Sequence, residues 1–268
     1  MGNIFAYDFV LRAFAASGLV AVVAGTVGYF LVLRGQTFAG HALSHIGFAG
    51  ATGAALIGIS PLTGLIAFVV AAGGAIGLLG ERVSGRDVTI GMVLSASLGF
   101  GLLFLSLTTT HATAATALLF GNVLAVTPSM LATLAVLGVI TLAGLGFISR
   151  PLIFTTLQPE LAEAKGVSAR VIGTLFLALV ALATAQSIQI VGVLLVFTLM
   201  VGPPAAAQLL TKRLGGGIAL SALLALAQAW IGILIAFYTN WPTSFWIAAL
   251  SALVYAGAAF CAQFRRRD

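Results

Sequence analysis

The chain has 268 residues, of which 61% are hydrophobic and only 7% charged, and its mean hydropathy is +1.18. That composition excludes a soluble globular domain and places the chain among integral membrane proteins. The net charge of +6 does not signal nucleic acid, because the cations sit in short loops and at the C-terminal end, where a topology signal belongs.

A membrane-spanning helix needs roughly 20 apolar residues. The uncharged runs divide into spans near 10–33, 38–58, 61–80, 88–107, 129–149, 171–188, 190–210, 217–238 and 243–263. The expected architecture is all-α, a polytopic bundle of eight or nine spans forming one membrane domain over 1–268. Asp8 and Arg12 open the first span and Arg34 closes it. The second holds Gly40-His41-Ala42-Leu43-Ser44-His45, within a stretch from Gly35 to Gly80 that has no Asp, Glu, Lys or Arg. Only Ile59-Ser60-Pro61 separates the second span from the third, and little more than Gln189 separates the sixth from the seventh, so either pair is open to being a broken or short helix. Gly73 and Gly77 form a Gly-x-x-x-Gly pair, and Gly50/Gly53 and Gly99/Gly101 add small surfaces, which predict close helix packing with the third and fourth spans as partners.

Further along, Thr108-Thr109-Thr110-His111 reads as part of an uncharged outward loop with a solvated histidine. Arg150-Pro151 ends the fifth span, and Leu157 to Gly166 then reads as a short helix. Pro159 suits its first turn, Glu160 and Glu163 its N-terminal end, and Gly166 its C-cap. Such a helix either lies on the bilayer surface or docks on a soluble partner, and its acidic start favours the partner. The loops 81–87, 150–170 and 211–216 with Arg265-Arg266-Arg267 hold ten of the twelve Lys and Arg, whereas 108–128 and 239–242 hold none. This alternation puts the charged loops and the C-terminus in the cytoplasm and, with nine spans, the N-terminus outside. One cysteine, Cys261, excludes an internal disulfide and a thiolate metal cluster. The N-terminal residues lack the basic region and small-residue cleavage site of a signal peptide.

An ionisable residue inside a membrane segment is costly and marks function by default. His41 and His45 stand four residues apart, on one face of a helix, a spacing at which two imidazoles can converge on one ion. The competing reading is structural, with each ring hydrogen-bonded to a carbonyl or a serine such as the adjacent Ser44. His41-Ala42-Leu43-Ser44-His45 lacks the glutamate of a His-Glu-x-x-His zinc protease and so lacks its general base. No Gly-x-x-x-x-Gly-Lys-Ser/Thr loop is present, and no charged residue interrupts the later spans to form a proton relay. A pore or permease energised from elsewhere remains.

Four blocks in order resemble the membrane subunits of ABC importers for zinc, manganese and related divalent ions. Phe30-Leu31-Val32-Leu33-Arg34 leads into Gly40 to His45, which is similar to the family's Gly-Asp-x-x-x-His segment. Asp87-Val88-Thr89-Ile90-Gly91 resembles the start of its next conserved span, and Pro159-Glu160-Leu161-Ala162 with Gly166 its cytoplasmic coupling helix. Gln189 to Val196, leading to Pro203 and Ala207, resembles its late block, and Phe120-Gly121-Asn122-Val123-Leu124 adds its outward loop. The chain departs from the family pattern twice, with His41 and Gln158 where the family usually has Asp.

The resemblance implies a type II ABC importer-like permease in the bacterial cytoplasmic membrane. It implies a second copy of the chain, an ATP-binding subunit dimer that hydrolyses ATP, an extracytoplasmic metal-binding solute protein, and surrounding lipid, with no nucleic acid. Gln158, Pro159, Glu160, Ala162 and Gly166 would couple to the ATPase, and His41 and His45 would be transient metal ligands on the path. No cofactor is held permanently, because a full four-ligand cage would not release its ion. Two imidazoles suit zinc better than manganese, which prefers oxygen ligands. The alternatives are a permease for a metal chelate or other small solute, and an intramembrane metalloenzyme.

Overall fold

A computed structural model describes residues 7–79, 86–107, 119–193 and 195–264. Along these the chain forms α1 (Asp8–Leu33), α2 (Thr37–Leu56), α3 (Pro61–Leu79), α4 (Arg86–Leu107), a 3-10 turn at Val123–Ala125, α5 (Pro128–Leu157), the short α6 (Pro159–Ala164), α7 (Ala169–Val191), α8 (Val196–Leu210), α9 (Leu214–Thr239) and α10 (Thr243–Phe264). The described residues include no strand. His111, most of the 81–87 loop and the C-terminal Arg265 to Asp268 lie outside them.

Seven of these helices are long and apolar enough to cross a membrane, α2 and α8 not being among them. α2 carries two histidines and several glycines that lower its hydropathy, and α8 has only 15 residues, roughly 22 Å of helix against a hydrocarbon core of about 30 Å. α1 and α7 are mostly buried at the centre of the bundle, whereas α4 and α10 turn most of their length outward. α1 packs chiefly on α9, α8, α5 and α7, while α2 packs on α3, α4 and α7. α1 and α7 thereby join two groups of helices.

Three expectations from the sequence change. α5 does not end at Arg150-Pro151 but runs through Pro151 to Leu157. Proline removes the N–H that would serve the carbonyl four residues back, but in a membrane protein neighbouring helices can hold such a helix together. Here Leu152 and Thr155 are buried, and Arg34, the C-cap of α1, donates to the turn that follows the proline. The seventh span starts six residues late, at Val196. Gly192 takes φ +78°, a left-handed conformation that ends α7, and its α-carbon lies against the backbone of Leu119 and Gly121 where a β-carbon has no room. The pair of spans around Gln189 is thus one full helix followed by a short one.

The third correction concerns packing. The main neighbours of α3 are α7 and α2, not α4. Gly73 faces the Leu177 carbonyl and Gly77 faces Thr174, both on α7. Gly50 lies against the Gly64 carbonyl of α3, and Gly101 of α4 admits Phe48 of α2. Gly99 has open space where its side chain would be.

Candidate functional site

α2 positions the two histidines, and what surrounds it follows from its small residues. At Gly47 a side chain would meet Val69 of α3 at 2.8 Å and Ile188 of α7 at 3.1 Å, and at Gly53 it would meet Phe104 of α4 at 3.2 Å. The neighbours therefore close on the helix and bury most of it. His45 is 9% exposed and His41 half-buried. Their ring centroids are 4.8 Å apart with planes at 83°. An ion held about 2.0–2.1 Å from a ring nitrogen lies roughly 3.2 Å from that ring's centre, so two imidazoles sharing one ion have centroids roughly 5 Å apart. The observed separation fits that requirement.

The Nδ1 atoms of both rings are buried and have no hydrogen-bond partner among the described residues. Ser44, the candidate structural partner, donates its hydroxyl to the His41 carbonyl at 2.7 Å, a bond within its own helix. A buried imidazole nitrogen without a partner is expensive in a membrane interior. No cluster of three or more His, Cys, Asp or Glu suited to a metal occurs among the described residues. The pair can offer an ion two ligands and no cage. Phe197, at the start of α8, sets its ring 5.2 Å from that of His41 at 76° and is 37% exposed.

The second group of candidate residues gathers at α6, at the far end of α5. Pro159 occupies the first turn, Glu160 follows, and Gln158 precedes the helix without a side-chain capping bond. A Schellman closure ends the helix: Gly166, at φ +78°, donates to the Glu163 carbonyl at 3.0 Å and Val167 to the Ala162 carbonyl at 2.9 Å. Ala162 is fully buried and seats α6 on the bundle, whereas Gln158, Glu160, Leu161 and Glu163 are exposed. Ser168 then caps α7 by accepting from the Val171 N–H at 3.4 Å. The exposed Leu157 and Leu161 add apolar surface beside the two acids.

Two contributors were not singled out by their sequence context. Arg34 read as a charge closing the first span, yet its guanidinium reaches the end of α5. A lone cation immediately before the histidine segment was the available signal. Phe197 offers no signal of its own, because one phenylalanine among eighteen is unremarkable in such a chain.

Comparison with known proteins gives a consistent result. The family model described as ABC 3 transport family matches residues 6–262. The chain is 28% identical over 250 residues to the manganese transport system membrane protein MntC of Listeria monocytogenes, covering 93% of this chain and 89% of that one. It is 32% identical over 233 residues to the MntC of Halalkalibacterium halodurans, covering 86% and 80%. The solved structure of PsaBC from Streptococcus pneumoniae in complex with Fab matches with a TM-score of 0.86 at 26% identity, covering 95% of this chain and 92% of that one. The matched region runs from the start of α1 nearly to the end of α10, and the chain belongs to the ABC 3 transport family of integral membrane permeases.

Proposed function

We propose that this chain is the membrane subunit of an ABC importer for divalent metal ions, with zinc favoured over manganese and His41 and His45 as passing ligands. The observation that carries the reading is the pair of buried, unpartnered Nδ1 atoms on rings 4.8 Å apart. Two ligands without a third hold an ion long enough to guide it and release it readily. Imidazole is a borderline ligand that serves zinc well, and manganese gains less from it than from a carboxylate. Resemblance to the family puts a carboxylate at position 41, which this chain lacks.

The remaining parts follow from the family. The whole chain, 1–268, acts as one permease domain in a bacterial cytoplasmic membrane with its C-terminus inside, beside a second copy of itself. An ATP-binding subunit dimer seats on the exposed surface of α6, where Glu160 and Glu163 offer charge and Leu157 and Leu161 apolar area. Hydrolysis takes place in that dimer and not in this chain. A solute-binding protein delivers the ion from outside.

A second reading has support of its own, because the MntC relatives are named for manganese transport. The deciding experiment reconstitutes the permease with its ATPase and binding protein and measures zinc and manganese uptake in parallel. Zinc uptake should exceed manganese uptake and should collapse when His41 and His45 are both replaced by alanine. Uptake that survives the double replacement at unchanged expression removes the histidines from the path. A manganese preference assigns the relatives' cargo instead. Uptake of a metal chelate in preference to either free ion would make the histidines incidental.

A further inference from the structure

The corner between α1 and α2 is a rigid turn. α1 ends in a Schellman closure, with Gly35 at φ +65°, its N–H bonded to the Val32 carbonyl at 3.0 Å and that of Gln36 to the Leu31 carbonyl at 3.0 Å. α2 starts at the next residue but one, and Gly40 in its first turn lies so near Leu31 that a side chain there would come within 2.6 Å of it. Whatever displaces residue 34 therefore displaces the first turn of α2, and His41 is one residue beyond Gly40.

Arg34 extends from that corner to α5. Its Nη1 donates to Thr156 Oγ1 at 2.7 Å and, at 3.4 Å each, to Thr155 Oγ1 and the Leu152 carbonyl. These acceptors lie in the last two turns of α5, just before Gln158 and α6. A cation is favoured there by the helix dipole, and charge-assisted bonds are the stronger ones. The same guanidinium lies 5.8 Å from the ring centre of Phe176 in α7, the helix that α6 leads into. One side chain thus touches both stems of α6. The substantial packing of α5 is on α1, α7 and α6, not on α2, so Arg34 supplies a link that helix packing does not.

We propose that Arg34 is the positioning residue that carries displacement of α6 to the histidine helix α2. The proposal rests on the import reading above, with α6 as the ATPase contact. Direct packing of α7 on α2, as at Ile188 and Gly47, carries part of the movement, so loss of Arg34 weakens coupling without abolishing it.

The test uses the complete complex, with ATPase and binding protein, in proteoliposomes, and reads metal ions moved per ATP hydrolysed. Arg34→Met keeps the length of the side chain and removes its charge and donors. The expected result is retention of the ATPase and of basal hydrolysis, with ions per ATP down about tenfold, as for loss of one coupling contact. Arg34→Lys should restore part of the ratio, since an ammonium keeps the charge but not the fork of donors. The double variant Thr155→Val with Thr156→Val leaves Arg34 and α2 intact and removes two of the acceptors named above. It should lower the ratio by about threefold, and it keeps the test decisive if Arg34→Met does not fold. An unchanged ratio in either folded variant overturns the proposal alone. A wild-type complex that hydrolyses ATP but moves neither zinc nor manganese overturns the import reading, and the proposal falls with it.

Discussion

Substitutions in the Gly73-Gly74-Ala75-Ile76-Gly77 segment of α3 separate packing from propensity within a single turn or so of helix. At Gly77 an added β-carbon would lie 2.8 Å from Thr174 Oγ1 and 2.9 Å from Thr174 Cβ, with the Thr174 α-carbon closer still. At Gly73 it would lie 2.7 Å from the Leu177 carbonyl oxygen and 3.3 Å from Ala181 Cβ. Both obstacles include α7 backbone, so the helices must part for alanine to fit. At Gly74 nothing lies within 4 Å. Overpacking costs about 1–3 kcal/mol, whereas glycine to alanine in a helix gains about 0.8–1 kcal/mol. Gly74→Ala should therefore stabilise by up to about 1 kcal/mol, and Gly73→Ala and Gly77→Ala should each destabilise by up to about 2 kcal/mol. The two clashes share one interface, so the double variant should cost less than their sum. Reversible unfolding of the purified protein in mixed micelles, followed by helical circular dichroism, measures all four. If Gly74→Ala is as destabilising as Gly77→Ala, the contact between α3 and α7 is not what the glycines serve.

Other predictions concern the two candidate regions. Replacing Gln158, which makes no side-chain capping bond, by Asp should supply an acceptor to the first turn of α6 and stabilise that helix by about 1 kcal/mol, seen as slower amide exchange over residues 160–165. His41→Asp should raise the ratio of manganese to zinc uptake in the reconstituted complex, since it replaces an imidazole by an oxygen ligand; an unchanged ratio would detach position 41 from cargo choice. Gly166 and Gly192 both take φ +78°, but a side chain at Gly166 meets open space while one at Gly192 meets Leu119, Phe120 and Gly121. Alanine at 166 should cost about 1–2 kcal/mol and fray α6 locally, whereas alanine at 192 should cost more and lower the unfolding midpoint of the whole bundle.

Hydropathy located nearly every helix because burying an apolar run needs no knowledge of its neighbour, and charge marked the ends at Arg34 and at Lys212-Arg213 but not at Arg150. Pro151 misled because proline ends helices in isolation, while here the turn beyond it is held by Arg34 and by burial of Leu152 and Thr155. Gly192 could not be told from the many packing glycines, since its left-handed conformation depends on a loop over seventy residues earlier in the chain. The Gly73/Gly77 stripe was legible as an interface, but its partner was not, because any small-faced helix satisfies the same pattern. The histidines were legible by their cost in a membrane. That their Nδ1 atoms lack partners depends on where Ser44 sends its hydroxyl, which rotamer and backbone decide.

The low hydropathy of α2 and its central position have one cause. Imidazoles facing lipid would be costly, so the helix that bears them has to be enclosed by protein. Enclosure needs close neighbours, and glycine provides them: Gly40 admits Leu31 from α1, Gly47 admits Val69 and Ile188, Gly50 admits Phe68 and the Gly64 backbone, and Gly53 faces Phe104. Those glycines, with the histidines, leave α2 outside the set of seven apolar spans, and they also let four helices surround it. With α3, α4 and α7 packed along its length, the sideways approach from lipid is closed over most of α2. On the side where α8 begins, Phe197 stands ring to ring with His41. A short helix that begins late, after a left-handed glycine, is what places that aromatic beside the imidazole pair.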